Sequence, residues 1–344
     1  MANQPSILRL WQRLTTCTPA LFDSYSRPFN RQRRFLLLTG ASAFIASACS
    51  SRTQTNERST AALSTATQPI QHAFGETEVP VNPTQIAVLD YFTVEALMVL
   101  GVQPIAAPQI IIDNLLHLPP VEHEIVDTGN PREPSLETIA TLNPDLILTT
   151  QTVTEPDTYQ LLAQIAPTVV FDNDGRTEWQ ALTRLCAEIL GKEAEAEQLE
   201  ADYDAKVQAF KSQLSKDASQ IRISVASFYT EQIATFGKET FVGTVLDAAG
   251  LSRPPKQAEG GNAQISIELL SEIDGDVLFV MKPQSQTEIA GDVRAALERM
   301  KANPLWTQLQ AVQTNQVYEV DTYWFGAGYI AANLIMDDLM QYLV

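Results

Sequence analysis

Ile86-Ala-Val-Leu-Asp-Tyr-Phe-Thr-Val-Glu-Ala-Leu-Met-Val-Leu-Gly101-Val-Gln-Pro-Ile105 sets a pattern that the rest of the chain repeats. Ile86 to Leu89 is a short apolar run, which predicts a buried strand. Tyr91 to Leu100 carries apolar residues at helical spacing, Gly101 ends that helix, and Val102-Gln-Pro-Ile105 begins a second strand. Further on, Pro134-Ser-Leu-Glu137 opens a helix with Ser135 as its N-cap, and Asn143-Pro144 stops it. Asp145-Leu-Ile-Leu-Thr149 then reads as a strand, Tyr159 to Ile165 as a short helix, and Thr168-Val-Val-Phe171 as another strand. Strands alternating with helices across short turns imply a parallel sheet covered on both faces. This first lobe is expected over 79–180.

The middle differs. Thr177–Leu190 and Lys192–Leu214 are helical in pattern, and the second has no breaker over 23 residues, about 35 Å of helix. It reads either as a core helix of one larger domain or as a rod joining two lobes. Alternation resumes beyond it, which favours the rod, with the linking helices spanning 181–215 and the bridging helix 192–214. In the second lobe, 216–344, Ile221-Arg-Ile-Ser-Val225, Val277-Leu-Phe-Val280 and Val317-Tyr-Glu-Val320 are strands. Phe241–Ala249, Ser266–Ile273, Val293–Lys301 and Ala331–Leu343 are helices. The expected fold is α/β, with two lobes of mainly parallel sheets flanked by helices and one long bridging helix.

Residues 1–48 read as an export signal, not as part of the fold. Arg9, Arg13, Arg27, Arg31, Arg33 and Arg34 face one acid, Asp23, ahead of an uncharged stretch from Phe35 to Ala48. Fourteen residues of helix rise about 21 Å, short of a bilayer core of about 30 Å. Arg33-Arg34-Phe35-Leu36-Leu37 resembles a twin-arginine export pattern. Ala46-Ser47-Ala48-Cys49 resembles a lipobox, which makes Cys49 the lipidated residue. The Ser-, Thr- and Gln-rich residues 49–78 then read as a flexible tether.

Of 23 basic and 41 acidic residues, six arginines and one aspartate lie in that signal. A chain starting at Cys49 keeps 17 and 40, a net charge of −23. So strong an acidic balance excludes nucleic acid as a partner, because nothing offers phosphates a basic track. Cys17, Cys49 and Cys186 leave no pair after cleavage, so no disulfide framework is expected. There is no G-x-S-x-G, H-E-x-x-H or phosphate-binding loop to suggest an enzyme. Gly326-Ala-Gly328-Tyr-Ile-Ala331 superficially fits a dinucleotide fingerprint, but too little chain follows for the strand and acid such a site needs. Its glycines read as a tight turn that admits ligand near a helix N-terminus. His117 and His123, with His72, are too few and too scattered for a protein-held metal centre.

Taken in order, Asp90-Tyr91…Glu95-Ala-Leu, Gly101-Val102…Pro104-Ile105 and Pro134-Ser-Leu-Glu137…Asn143-Pro144-Asp145 resemble the first lobe of the helix-linked (class III) substrate-binding proteins. These serve ABC importers of iron–siderophores, haem and vitamin B12. Phe241-Val-Gly…Leu246-Asp-Ala-Ala-Gly-Leu251, Ile265-Ser-Ile-Glu268 and Asn303-Pro-Leu-Trp306…Val317-Tyr-Glu-Val-Asp321 agree in the second lobe, so the resemblance spans 79–344. It implies a monomeric lipoprotein at the periplasmic or outer face of the membrane that holds a ferric siderophore between its lobes. It also implies modest closure, delivery to a permease, and no cofactor beyond the iron the ligand brings. Cobalamin or haem is the alternative ligand. A different class, an exported hydrolase using the cleft, would be distinguished by turnover. The acidity of the chain leans towards a near-neutral hydroxamate siderophore.

Glu137 and Glu268 stand in Ser-x-Glu at a helix start, once in each lobe. An acid there complements the helix dipole without further purpose. The resemblance implies that the pair docks onto permease arginines. For Arg132, in Arg132-Glu133-Pro134-Ser135-Leu136-Glu137, the resemblance implies a place near a loop from which an arginine often meets an anionic ferric complex; it also reads as an ordinary solvated arginine. The expected ligand-binding aromatics are Tyr91, Trp179, Tyr229, Tyr323 and Trp324, with Phe236 considered beside them. Of the consecutive Tyr323-Trp324-Phe325, Trp324 is the ring expected to face the pocket. Arg253 and Lys282 are weaker candidates for positive charge there.

Overall fold

The computed structural model describes residues 66–113, 117–172, 177–214, 217–283 and 288–344. The export signal, Cys49 and most of the tether lie outside the described residues. The body Thr65–Val344 forms one compact unit.

It opens on a hairpin, β1 (Thr67–His72) with β2 (Gly75–Pro80), paired from Thr67↔Pro80 to His72↔Gly75. This corrects the tether expected over 49–78. Ile70 and Val79 are buried against the first lobe, and Ala73 N–H donates to Val170 O. The segment looked like tether because each strand buries one residue and leaves polar ones outside.

The first lobe carries β3 (Ile86–Val88), α1 (Tyr91–Val99), β4 (Ala106–Ala107), α2 (Gln109–Ile112), β5 (Val126–Asp127), β6 (Gly129–Asn130), β7 (Glu133–Pro134), α3 (Leu136–Thr141), β8 (Leu146–Thr150), α4 (Pro156–Leu162) and β9 (Thr168–Phe171). Five strands form one parallel sheet in the order β5-β4-β3-β8-β9. β3, β8 and β9 are buried throughout, as strands covered on both faces must be. Asp90 caps α1 through Phe92 and Thr93 N–H, and Gly101 closes it at a φ of 72°, where a side chain would be strained.

Two helices follow, α5 (Trp179–Leu190) and α6 (Glu193–Gln213). At 21 residues α6 is about 32 Å long. Its apolar strip is Ala196, Leu199, Tyr203, Val207 and Phe210, spaced three or four apart. Ala196 is buried in the first lobe's core, Tyr203, Val207 and Phe210 in the second's, and Leu199 touches both. The helix therefore bridges the lobes.

The second lobe holds β10 (Ile223–Phe228), β11 (Gln232–Phe236), α7 (Phe241–Ala248), β12 (Asn262–Ser266), β13 (Val277–Met281), α8 (Glu288–Lys301), α9 (Gln310–Gln313), β14 (Val317–Val320) and α10 (Tyr329–Leu343). Its sheet runs β12-β11-β10-β13-β14, parallel through β10, β13 and β14 and antiparallel at β11 and β12. Ile267–Ile273, expected as an α-helix, is 3-10 helix interrupted at Leu269. The C-terminal helix α10 packs along α6.

Candidate functional site

In each lobe loops leave the C-terminal ends of the parallel strands, the edge where open α/β sheets hold ligands. The first lobe presents Tyr91 after β3, α2 after β4 and the β6–β7 hairpin with Arg132 after β5. The second presents Tyr229 after β10, Lys282 after β13 and the 3-10 turn Thr322–Phe325 after β14.

The edges meet through aromatic rings. Tyr91 lies edge-on to Phe325 at a centroid distance of 6.2 Å, and Phe325 in turn lies edge-on to Phe236 at 5.9 Å. The His117 and Tyr323 rings are 6.2 Å apart. Tyr91 is half-buried, and its phenol is held well above the usual range by burial and by the Glu95 carboxylate, so it stays a hydroxyl.

Phe325 is the exposed ring of the aromatic triplet, at 50%, while Tyr323 is half-buried. Trp324, expected to face the pocket, is fully buried and stacks on Phe279 at 4.3 Å. Asp338 of α10 explains the choice. Its Oδ2 accepts from Tyr323 Oη (2.7 Å) and Trp324 Nε1 (2.6 Å), drawing both rings inward and leaving Phe325 outside. Burial raises the Asp338 carboxyl above its ordinary value, while the two donors oppose the shift.

Trp179 is also corrected. It is 2% exposed, packs edge-on against Tyr203, Phe241 and Tyr329, and donates from Nε1 to Thr244 Oγ1 (3.0 Å). It joins α5 to the second lobe's core and faces no cleft. Tyr229 is 37% exposed at the β10–β11 turn, outside ring contact with the Tyr91–Phe325 group. Arg132 lies in the turn between β6 and β7, where its backbone N–H donates to Asn130 Oδ1 (2.9 Å). Among the described residues its guanidinium has no hydrogen-bond or ion-pair partner. Lys282 is engaged with Glu319. Arg253 is spent inside the lobe, donating to Ile223 O (2.8 Å), Phe236 O and Gln257 Oε1 (2.7 Å), and burial pushes its guanidinium down to about 9.

Glu137 and Glu268 are both exposed at the first turn of their helices, α3 and the 3-10 helix Ile267–Ile273. The Ser266 hydroxyl and a backbone N–H hold the Glu268 carboxyl below its usual value, and Leu269 beside it is 42% exposed. Among the described residues no three His, Cys, Asp or Glu side chains converge as a metal site would require.

The sequence did not single out Glu95. Its carboxylate is fully buried, accepts from Ala327 N–H (3.0 Å) and Ala331 N–H (2.9 Å) of the opposite lobe, and lies 3.5 Å from His117 Nε2. The helix N-terminus expected to receive ligand after Gly326-Ala-Gly328 is thus occupied by this side chain. The available signal was a helix with no polar N-cap of its own.

A family model described as periplasmic binding protein matches residues 86–323. The probable siderophore-binding lipoprotein YfiY of Bacillus subtilis (strain 168) is 30% identical over 313 residues, covering 87% of this chain and 94% of its own length. The Fe(3+)-citrate-binding protein YfmC of the same organism is 29% identical over 281 residues, 80% of this chain and 85% of its own. Among solved structures, Staphylococcus aureus SirA complexed with staphyloferrin B matches with a TM-score of 0.66 and 28% identity, over 80% of this chain and 98% of SirA. Together with the bridging helix, that match gives the class III architecture. The chain belongs to the periplasmic binding protein family, whose members bind a substrate and do not transform it.

Proposed function

We propose that this protein is the substrate-binding lipoprotein of an ABC importer and carries a ferric siderophore between its two lobes. The observation that carries the reading is the pair of facing sheet edges. They offer an exposed Phe325, a half-buried Tyr91 and an arginine, Arg132, whose guanidinium has no partner among the described residues. An aromatic face buries ligand area at little entropic cost, and a free guanidinium meets the carboxylate or catecholate oxygens of a chelate. The relatives named for a siderophore, ferric citrate and staphyloferrin B support this ligand class. Iron arrives inside the ligand; the chain holds no resident cofactor.

In this reading the chain is exported, acylated at Cys49 and held by residues 49–66 at the periplasmic or outer face of the membrane. Tyr91, Tyr229, Tyr323 and Arg132 border the ligand, and Phe325 takes the place expected for Trp324. Closure is small because α6, with apolar contacts in both cores, resists a wide hinge. The exposed Glu137 and Glu268, one on each lobe, dock onto permease arginines and fix orientation by a two-point contact.

The test is a titration of residues 50–344 with ferric citrate, ferric staphyloferrin B, ferric bacillibactin, ferrioxamine B, cobalamin and haem, followed by intrinsic fluorescence. Saturable quenching by one ferric siderophore, weakened in Arg132→Ala and Phe325→Ala, supports the reading and names the ligand. Saturation by cobalamin or haem alone replaces the ligand, and silence across the panel overturns the proposal.

A further inference from the structure

Helix α10 begins without help from its own sequence. Its N-cap residue is Gly328, and no side chain next to it in sequence accepts from the first turn. The first four N–H groups of a helix have no partner within the helix. Here the third helical residue, Ala331, gives its N–H to Glu95 Oε1 (2.9 Å), and Ala327, just ahead of the cap, gives its own to Oε2 (3.0 Å). Glu95 is the fifth residue of α1, in the other lobe and 236 positions away along the chain. The capping task that a Ser or Asp normally performs locally is thus performed across the interlobe boundary.

Three features show that the contact is built in. The Glu95 side chain has no exposure, an arrangement that costs too much for a carboxylate unless bonded donors surround it. The positive end of the α10 dipole faces it. Gly328 leaves the space: a Cβ there would lie 3.3 Å from Glu95 Cγ, Cδ and Oε1. At its φ of −173° the backbone itself needs no glycine, so the absent side chain is what matters. The group also ends the aromatic turn, since Ala327 follows Phe325 by two residues, while His117 bridges from Glu95 (3.5 Å) to the Tyr323 ring (6.2 Å).

We propose that Glu95 is a positioning residue for ligand capture: by capping α10 from the opposite lobe it sets the separation of the two rims and holds Phe325 against Tyr91. The link to capture rests on the siderophore reading; the capping role does not.

The test therefore begins without ligand. Spin labels at Leu161→Cys and Asp292→Cys, both exposed and one in each lobe, report the interlobe distance in residues 50–344; the remaining Cys186 is buried. Glu95→Gln keeps the size of the side chain but turns one acceptor into a donor facing an N–H. The expected result is a broadened, lengthened distance distribution in the variant, with cooperative unfolding retained. An unchanged distribution in a folded Glu95→Gln protein overturns the proposal. Should that variant not fold, hydrogen exchange on the unsubstituted protein decides. The Ala327 and Ala331 amides are expected to be protected at least 100-fold over a free chain, and exchange at loop rates overturns the proposal. With ferric staphyloferrin B as probe, dissociation from Glu95→Gln is expected to be about tenfold faster, a loss of about 1.4 kcal/mol. A narrow distribution that Glu95→Gln broadens, in a protein that binds no ferric siderophore, refutes the ligand assignment and leaves the cap standing.

Discussion

Asp90 is a carboxyl with almost no exposure at the start of α1, and replacing it with asparagine should make the protein more stable at neutral pH. Burial pushes its pKa up from 3.8 to about 6, against the opposing pull of Thr93 and Phe92 N–H and the Thr93 hydroxyl. A raised native value means the folded protein binds the proton more tightly than the unfolded chain. The stability this contributes is full below pH 3.8 and is lost as pH rises through 6. Linkage over that interval gives about 2 kcal/mol between pH 4.5 and 7.5. Asparagine suits the geometry. Oδ1 alone accepts from both Phe92 N–H (2.9 Å) and Thr93 N–H (3.0 Å), so an amide oxygen there keeps both bonds. Thr93 Oγ1 lies 2.9 Å from Oδ2 and 3.2 Å from Asp90 O, so the hydroxyl can accept from the new amide while donating to the carbonyl. Urea unfolding of both proteins at the two pH values is the assay. The advantage of Asp90→Asn over the parent should grow from about 1 kcal/mol at pH 4.5 to about 3 kcal/mol at pH 7.5. A difference that does not change with pH would show that Asp90 titrates normally and that desolvation is not the larger effect.

Trp324→Ala should cost about 3–5 kcal/mol in chemical unfolding, as for a large core ring, whereas Phe325→Ala should stay within about 1 kcal/mol and lower siderophore affinity instead. Asp338→Ala leaves the Trp324 and Tyr323 donors unpaired and should cost about 2–4 kcal/mol by the same measurement. Arg253→Met removes three hydrogen bonds inside the second lobe and should cost about 2–4 kcal/mol without changing ligand affinity, which separates it from Arg132→Ala. The reverse pattern at either arginine would overturn its assignment.

The bridging helix was legible because its cause is local. An unbroken run of good helix formers with one apolar residue every three or four positions can do little else, and Ala196 to Phe210 supplies it. The buried strands β3, β8, β9, β10 and β13 were legible for the same reason, being continuous apolar runs between turn residues. β12 was not, because Asn262-Ala-Gln-Ile-Ser266 is a polar edge strand whose existence depends on pairing with β11. The β1–β2 hairpin was missed in the same way, with Ile70 and Val79 as its only fully apolar anchors.

The candidate site was legible in kind and not in detail, because distant partners decide the detail. Within Tyr323-Trp324-Phe325 local reasoning allows any ring to face outward; an acid fourteen residues after Trp324 draws Trp324 into the core and ties down the Tyr323 hydroxyl, leaving Phe325 as the exposed ring. The Gly-Ala-Gly turn shows locally that something approaches a helix N-terminus, and only the fold shows that it is Glu95 from the opposite lobe. These partners share a physical character. Glu95 is a fully buried carboxylate and Asp338 a half-buried one, each satisfied by donors that lie elsewhere in the chain, so deleting either acid leaves orphaned donors. Polar groups of this sort fix orientation more than they add stability, because any apolar pair could close the same gap without specifying which ring faces the ligand. A binding protein needs that orientation before the ligand arrives: a rim still searching for its geometry must lose that freedom on binding, and affinity falls by the same amount.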